Sequence, residues 1–133
     1  MACHGGGQIA VISSIAGVKG LGPAPSYSAT KAFDNTYIQA LEQLSNSRHL
    51  GIHFTDIRPG FVDTALISGS RFPMTMSPEY VARHIVKAIY HRRHVTVIDW
   101  RWRILVALWH LVPNCIWRHL TLIPLPKSEE KSV

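Results

Sequence analysis

Cysteine is nearly absent. Cys3 and Cys115 are the only two in 133 residues, and they have neither CxxC nor metal-ligand spacing. That excludes a multi-disulfide framework or a cysteine zinc site; two free thiols suit a reducing compartment, and a single Cys3–Cys115 disulfide is the alternative. Long apolar runs are missing as well: no stretch reaches the ~20 residues of a simple membrane span. The start, MACHGGG, is small and polar where a secretory signal needs a charged stretch and then an apolar run. A cytoplasmic location is therefore expected. The eight histidines, His84, His91, His94, His110 and His119 among them, are not spaced as an HExxH-type site, so no metal is expected.

Acidic residues are scarce in one region. Residues 1–70 carry four Lys/Arg and four Asp/Glu, whereas residues 71–119 carry eight cations against Glu79 and Asp99. Such an excess suits an acidic lipid surface, nucleic acid, a phosphorylated ligand or an ordinary solvated face. No nucleic-acid motif accompanies it, so nucleic acid is not an expected partner. With 47% hydrophobic and 17% charged residues, the chain has the composition of a globular protein.

The apolar pattern predicts alternating elements. Gln8–Ser13 (QIAVIS) reads as a strand buried on both faces. The Gly/Pro-rich loop SIAGVKGLGPAP follows. From Ser26 to about Asn46 a helix is predicted, with Phe33, Tyr37, Leu41 and Leu44 at helical spacing and Ile38 and Ala40 beside them. Ile52–Ile57 is a second strand. Ser77-Pro78-Glu79 opens a second helix with a hydroxyl cap, a first-turn proline and a carboxylate at its positive end. Val95–Ile98 is a third strand. This β-α-β-α-β order predicts an α/β fold, a parallel, three-layer, Rossmann-like sheet that is only partial.

Chemistry concentrates at two places. Tyr27 and Lys31 are four apart, hence on one helix face. A lone phenol ionises near pH ~10, and a neighbouring ammonium favours its phenolate, so such a pair can donate and accept a proton. Ser14 stands thirteen residues before Tyr27, at the carboxyl end of the first strand, where parallel sheets place reacting groups. Gly17, Gly20, Gly22, Pro23 and Pro25 allow the loop to bring Ser14 back beside Tyr27, so that both hydroxyls reach one carbonyl oxygen.

The runs IAVISSIAG, PSYSATKA and DIRPGFVDT together resemble the short-chain dehydrogenase/reductase family in type, order and spacing. The resemblance is strong over residues 7–66 and fair to 98. It implies an NAD(P)-dependent oxidoreductase of alcohol/carbonyl substrates, with NADP favoured over NAD. Ser14, rather than Ser13, would polarise the substrate carbonyl, and Tyr27 would be the general acid or base. Lys31 would bind the nicotinamide ribose and support Tyr27. Pro59 and Gly60 would line the nicotinamide pocket, with glycine at 60 so that backbone approaches the ring. Val62 and Thr64 would bond the carboxamide. The family also implies self-association through helices that include the one bearing Tyr27.

The family's opening strand, glycine-rich turn and helix have no counterpart here, nor has its upstream catalytic asparagine. Gly5-Gly6-Gly7 precedes a strand rather than following one, so it is not that fingerprint. The expectation is the C-terminal catalytic half of the fold, with little turnover alone. The alternative is a non-catalytic remnant or membrane-peripheral interaction module. Composition divides the chain into a partial catalytic domain (1–99), a Trp-rich apolar and basic segment (100–126) and a disordered tail (127–133). All four tryptophans fall at 100–117, flanked by Arg101, Arg103 and Arg118. That suits either a cover over the substrate or dimer interface, or a helix on a membrane surface through 100–118.

Overall fold

The structure, a computed structural model, describes residues 5–64 and 74–120. Cys3, the segment 121–126, the tail 127–133 and the stretch 65–73 lie outside the described residues. Three strands, β1 (Gly7–Ile12), β2 (Ile52–Arg58) and β3 (Val95–Val97), form one parallel sheet in the order β1-β2-β3. Helices α1 (Pro25–Ser47) and α2 (Pro78–Tyr90) connect them. Two further helices follow, α3 (Trp100–Leu111) and α4 (Asn114–Trp117). The α/β, Rossmann-like architecture predicted from the sequence is present.

Local chemistry accounts for the boundaries. Ser77 caps α2 by accepting from the Tyr80 N–H at 3.2 Å, and Pro78 fills the first turn, where no N–H is needed. Pro113 ends the α3 region and precedes α4. Asp99 caps α3 by accepting from the Arg101 N–H at 3.0 Å. It does so at φ 72°, a backbone region that disfavours side chains.

Two burial expectations need correction. β1 is not buried on both faces: Ile12 is 55% exposed. Among the described residues β1 pairs only with β2, so its outer edge has no strand to cover it, whereas β2 between two neighbours buries Phe54, Thr55, Asp56 and Ile57. On α1, Phe33, Tyr37 and Leu44 face outward, and the buried residues are Ser28, Asn35, Ile38 and Ser45. Hydrogen bonding decides that orientation. Ser45 Oγ donates to the Ile52 carbonyl at 3.2 Å, and Ser28 bonds the loop after β1. Burying the aromatic stripe instead would break both bonds.

The Trp-rich segment shares the core of the residues before it. Trp102, Val106 and Trp109 pack with Ile15, Ile57, Met76, Val81 and Ile98. The opposite face of α3 shows Trp100, Ile104, Leu108 and Leu111 to solvent. Among the described residues no helix is long and apolar enough to cross a membrane.

Candidate functional site

The carboxyl ends of β1 and β2 open into two loops joined by backbone. The Ile15 N–H donates to the Pro59 carbonyl at 3.2 Å, and the Ser13 N–H to the Ile57 carbonyl at 2.8 Å. Ser14 and Pro59 are thereby held side by side. Ser13 and Ser14 then divide their tasks. The Ser13 hydroxyl bonds the Asp56 carboxylate and lies 3.2 Å from the Ile57 carbonyl, so it is committed to the sheet. Ser14 caps a short 3-10 turn, Ile15–Gly17, by accepting from the Ala16 N–H at 3.1 Å. Accepting leaves its own hydroxyl proton available.

Helix α1 is fastened to that turn at two points. Ser28, next to Tyr27, donates to the Ala16 carbonyl at 2.5 Å and accepts from the Leu21 N–H at 3.0 Å. Gly17 abuts the backbone of Lys31 so closely that a Cβ there would lie 2.4 Å from the Lys31 carbonyl carbon and oxygen. Glycine at 17 is therefore a condition for this approach. Tyr27, 48% exposed, and Lys31 come together as their spacing predicts, with the ammonium 6.0 Å from the ring centroid. Lys31 Nζ also donates to the Ile12 carbonyl at 3.1 Å and to Asp34 at 3.0 Å. Lys31 thus reaches both the end of β1, two residues before Ser14, and the ring of Tyr27.

After β2, Val62 forms a parallel bridge to Met76: the Met76 N–H donates to the Phe61 carbonyl and the Asp63 N–H to the Met76 carbonyl, each at 2.9 Å. The bridge uses neither the N–H nor the C=O of Val62 itself. Thr64 is exposed. A Cβ on Gly60 would meet the Trp102 indole at 2.3 Å, so Trp102 by itself demands glycine there.

Several residues that shape the site escape motif reading. Asp56 is buried, bonds Ser13, and pairs with Arg58 Nη2 at 2.7 Å, locking β2 to the end of β1. Lys19 donates to Asn114 Oδ1 at 2.6 Å and lies 5.9 Å from the Trp117 ring centroid, while Trp117 Nε1 donates to the Gly20 carbonyl at 2.7 Å. These contacts hold α4 against the loop joining Ser14 to Tyr27. A cleft of about 590 Å³ lies there, lined in part by Val18, Leu21, Ala29, Ala32 and Trp117. Ser14, Tyr27 and Lys31 are not in its lining. Farther off, Arg101 forks onto Asp99, with Nη2 at 2.7 Å. That hydrogen-bonded guanidinium holds the Asp99 carboxyl below the usual carboxylate range, and the carboxylate raises Arg101 in return.

Comparison with known proteins identifies the family and the fold. The family model described as short chain dehydrogenase matches residues 1–72. An uncharacterized oxidoreductase of Myxococcus xanthus is 40% identical over 68 residues, covering 51% of this chain and 26% of its own length. One of Mycobacterium tuberculosis is 27% identical over 121 residues, covering 90% of this chain and 48% of its own. The chain therefore spans between about a quarter and a half of these curated relatives. A Burkholderia cenocepacia short chain dehydrogenase solved in complex with NADP superposes with TM-score 0.73 at 17% identity, over 90% of this chain and 48% of that one. A 7α-hydroxysteroid dehydrogenase solved with NADH and 7-oxo glycochenodeoxycholic acid gives TM-score 0.62 at 17% identity, over 74% and 45%. Fold, motif order and family match agree, and the chain belongs to the short-chain dehydrogenase family of oxidoreductases.

Proposed function

We propose that this chain carries the catalytic, nicotinamide-facing half of an NAD(P)-dependent oxidoreductase acting on a small alcohol or carbonyl compound. The observation that carries the reading is Lys31. Its ammonium bonds the Ile12 carbonyl, two residues before Ser14, and lies against the Tyr27 ring, so one cation links the strand end to the tyrosine. A substrate carbonyl oxygen accepts from both hydroxyls: Ser14 polarises it, and Tyr27 delivers the proton in reduction or removes it in oxidation. Lys31 has a third N–H for a ribose hydroxyl. The N–H and C=O of Val62, which the bridge to Met76 does not use, suit a carboxamide, with the Thr64 hydroxyl close in sequence and Pro59 and Gly60 as the adjoining wall. The nicotinamide, when bound, supplies the hydride. NADP, as in the Burkholderia protein, is the form we favour.

The residues present fit the nicotinamide end of such a cofactor and not its other end. Among the described residues no strand pairs with the outer edge of β1, and no glycine-rich strand-to-helix turn is present to cradle a pyrophosphate. The 133-residue chain alone is therefore expected to show negligible turnover and no saturable binding when titrated with NADH or NADPH. Carbonyl reduction by it at an ordinary enzyme rate, on the order of 10 s⁻¹, would overturn the half-site reading.

The outward apolar faces favour a second, compatible reading, that of an interaction surface. Phe33 and Tyr37 stack at 5.3 Å on the exposed side of α1, which suits a second copy of this chain. Trp100, Ile104, Leu108 and Leu111 on α3, with Arg103 and Arg118 nearby in sequence, suit an anionic lipid surface. Truncation after Asp99 cannot test the latter, because it removes Trp102, Val106 and Trp109 from the core. Sedimentation velocity with and without anionic vesicles can. Tyr37→Lys should weaken self-association and Leu108→Lys vesicle binding; variants that sediment like the parent in both settings remove these surfaces.

A further inference from the structure

Three elements bring Glu42, His53 and His94 to one place. His53 is the second residue of β2, and His94 stands just before β3. Asp56 is in register with Val95, and the Asp56 N–H donates to the His94 carbonyl at 2.8 Å. One residue earlier, His94 lies beside Thr55, which shares its sheet face with His53. Helix α1 brings Glu42 to the same spot: His94 Nδ1 and Glu42 Oε1 are 2.5 Å apart. The two imidazole centroids are 4.8 Å apart and tilted by 56°. One ligand atom from each of the three residues lies within 4.8 Å of the others. His53 Nε2 is buried with no hydrogen-bond partner. Leaving such a group buried without a partner is unfavourable, and a ligand would offset that cost.

We infer that Glu42, His53 and His94 bind one divalent transition-metal ion, zinc by preference, between α1 and the amino ends of β2 and β3. Ser14 lies at the opposite, carboxyl end of the sheet, so the site is separate from the proposed oxidoreductase centre and does not depend on it. Two imidazoles and a carboxylate are the ligand types zinc takes, and three protein ligands leave a fourth position for water. At zinc–ligand distances of about 2.0–2.1 Å the donors of a tetrahedral site lie roughly 3.3 Å apart. The Glu42–His94 pair opens slightly to reach that spacing and His53 draws in. The metal takes the place of the proton between His94 and Glu42. It clamps the far end of the helix that carries Tyr27 and Lys31 to the sheet, and by binding only the folded chain it stabilises it.

The test is zinc titration calorimetry and cobalt absorption spectroscopy on the full chain carrying Cys3→Ser and Cys115→Ser, which removes thiol ligands. Expected are one zinc per chain, a rise in Tm on zinc addition, and a cobalt spectrum of nitrogen and oxygen ligands. Partners outside a metal's ligand set are worth about 10–100-fold in affinity, so each of Glu42→Gln, His53→Gln and His94→Gln should lose at least that much, with the Tm rise abolished. His84→Gln should behave as the parent. No saturable binding by the parent, or parental affinity in His94→Gln, overturns the site. The His94 side chain is 68% exposed, so its substitution leaves the fold intact and decides the matter even where His53→Gln fails to fold. Equal loss in His84→Gln overturns it too, since that would mark scattered histidine binding.

Discussion

Tyr27→Phe lowers kcat for carbonyl reduction by about 10²- to 10⁴-fold in the longest in-frame product of the gene, with the fold unchanged. The expectation follows from what the substitution removes. Phenylalanine keeps the ring against the Lys31 ammonium, 6.0 Å from its centroid in the parent, and deletes only the proton donor. Tyr27 is half exposed and begins a helix fastened elsewhere by Ser28 and Gly17, so its hydroxyl is not a structural support. Substrate and cofactor affinity should change far less than turnover, because the proton is needed only as charge develops on the carbonyl oxygen. Single-turnover and steady-state rates with matched circular dichroism check this. A Tyr27→Phe enzyme as fast as its parent would assign the chemistry to another group.

The largest expected stability effect lies at Trp102. Its side chain is 2% exposed, meets Phe61 edge-on at a centroid distance of 5.7 Å, and covers Gly60. Trp102→Ala should cost about 3–5 kcal/mol, a large share of the 5–15 kcal/mol usual for a domain (order of magnitude). Gly60→Ala should cost about 1–3 kcal/mol by overpacking, because its methyl would sit inside contact distance of the indole. The two are one contact seen from both sides. In the double variant the alanine methyl occupies space the indole has left, so the combined loss should fall short of the sum by about 0.5–3 kcal/mol. Urea unfolding midpoints with unchanged slope measure it. Strict additivity would mean that Gly60 is glycine for a different reason.

Trp102 also marks where the sequence stops being legible. Strand and helix positions follow from apolar period, turn residues and caps, and these are local properties. Ser77-Pro78-Glu79 announces α2 because capping involves atoms three residues apart. Which face of α1 turns inward is not local. Phe33, Tyr37 and Leu44 make a better apolar stripe than Ser28, Asn35 and Ser45, and yet the polar set is buried, because partners on the loop after β1 and at the start of β2 satisfy Ser28 and Ser45. Trp-rich composition likewise suggests a separate segment, whereas three of its side chains close the core under the site.

The candidate site divides in the same way. Tyr27 and Lys31 are legible because helical geometry alone brings them together. Ser14 is legible only through motif spacing, and the reason it differs from Ser13 resides in Asp56, forty-two residues on, which takes the Ser13 hydroxyl. Gly17 shows its purpose only when the backbone of Lys31 is seen against it. The cluster of Glu42, His53 and His94 is the extreme case: its members come from a helix, a strand and a loop, and no spacing rule links them.

The central claim is that Ser14 and Tyr27 act on one carbonyl oxygen. A double-mutant kinetic cycle of Ser14→Ala and Tyr27→Phe in the longest in-frame product, read as kcat/KM for carbonyl reduction, tests it most directly. Groups that act as a unit are non-additive, so the double variant should be scarcely slower than Tyr27→Phe alone. Fully multiplicative losses, or a Ser14→Ala enzyme with the parental rate, would contradict the account.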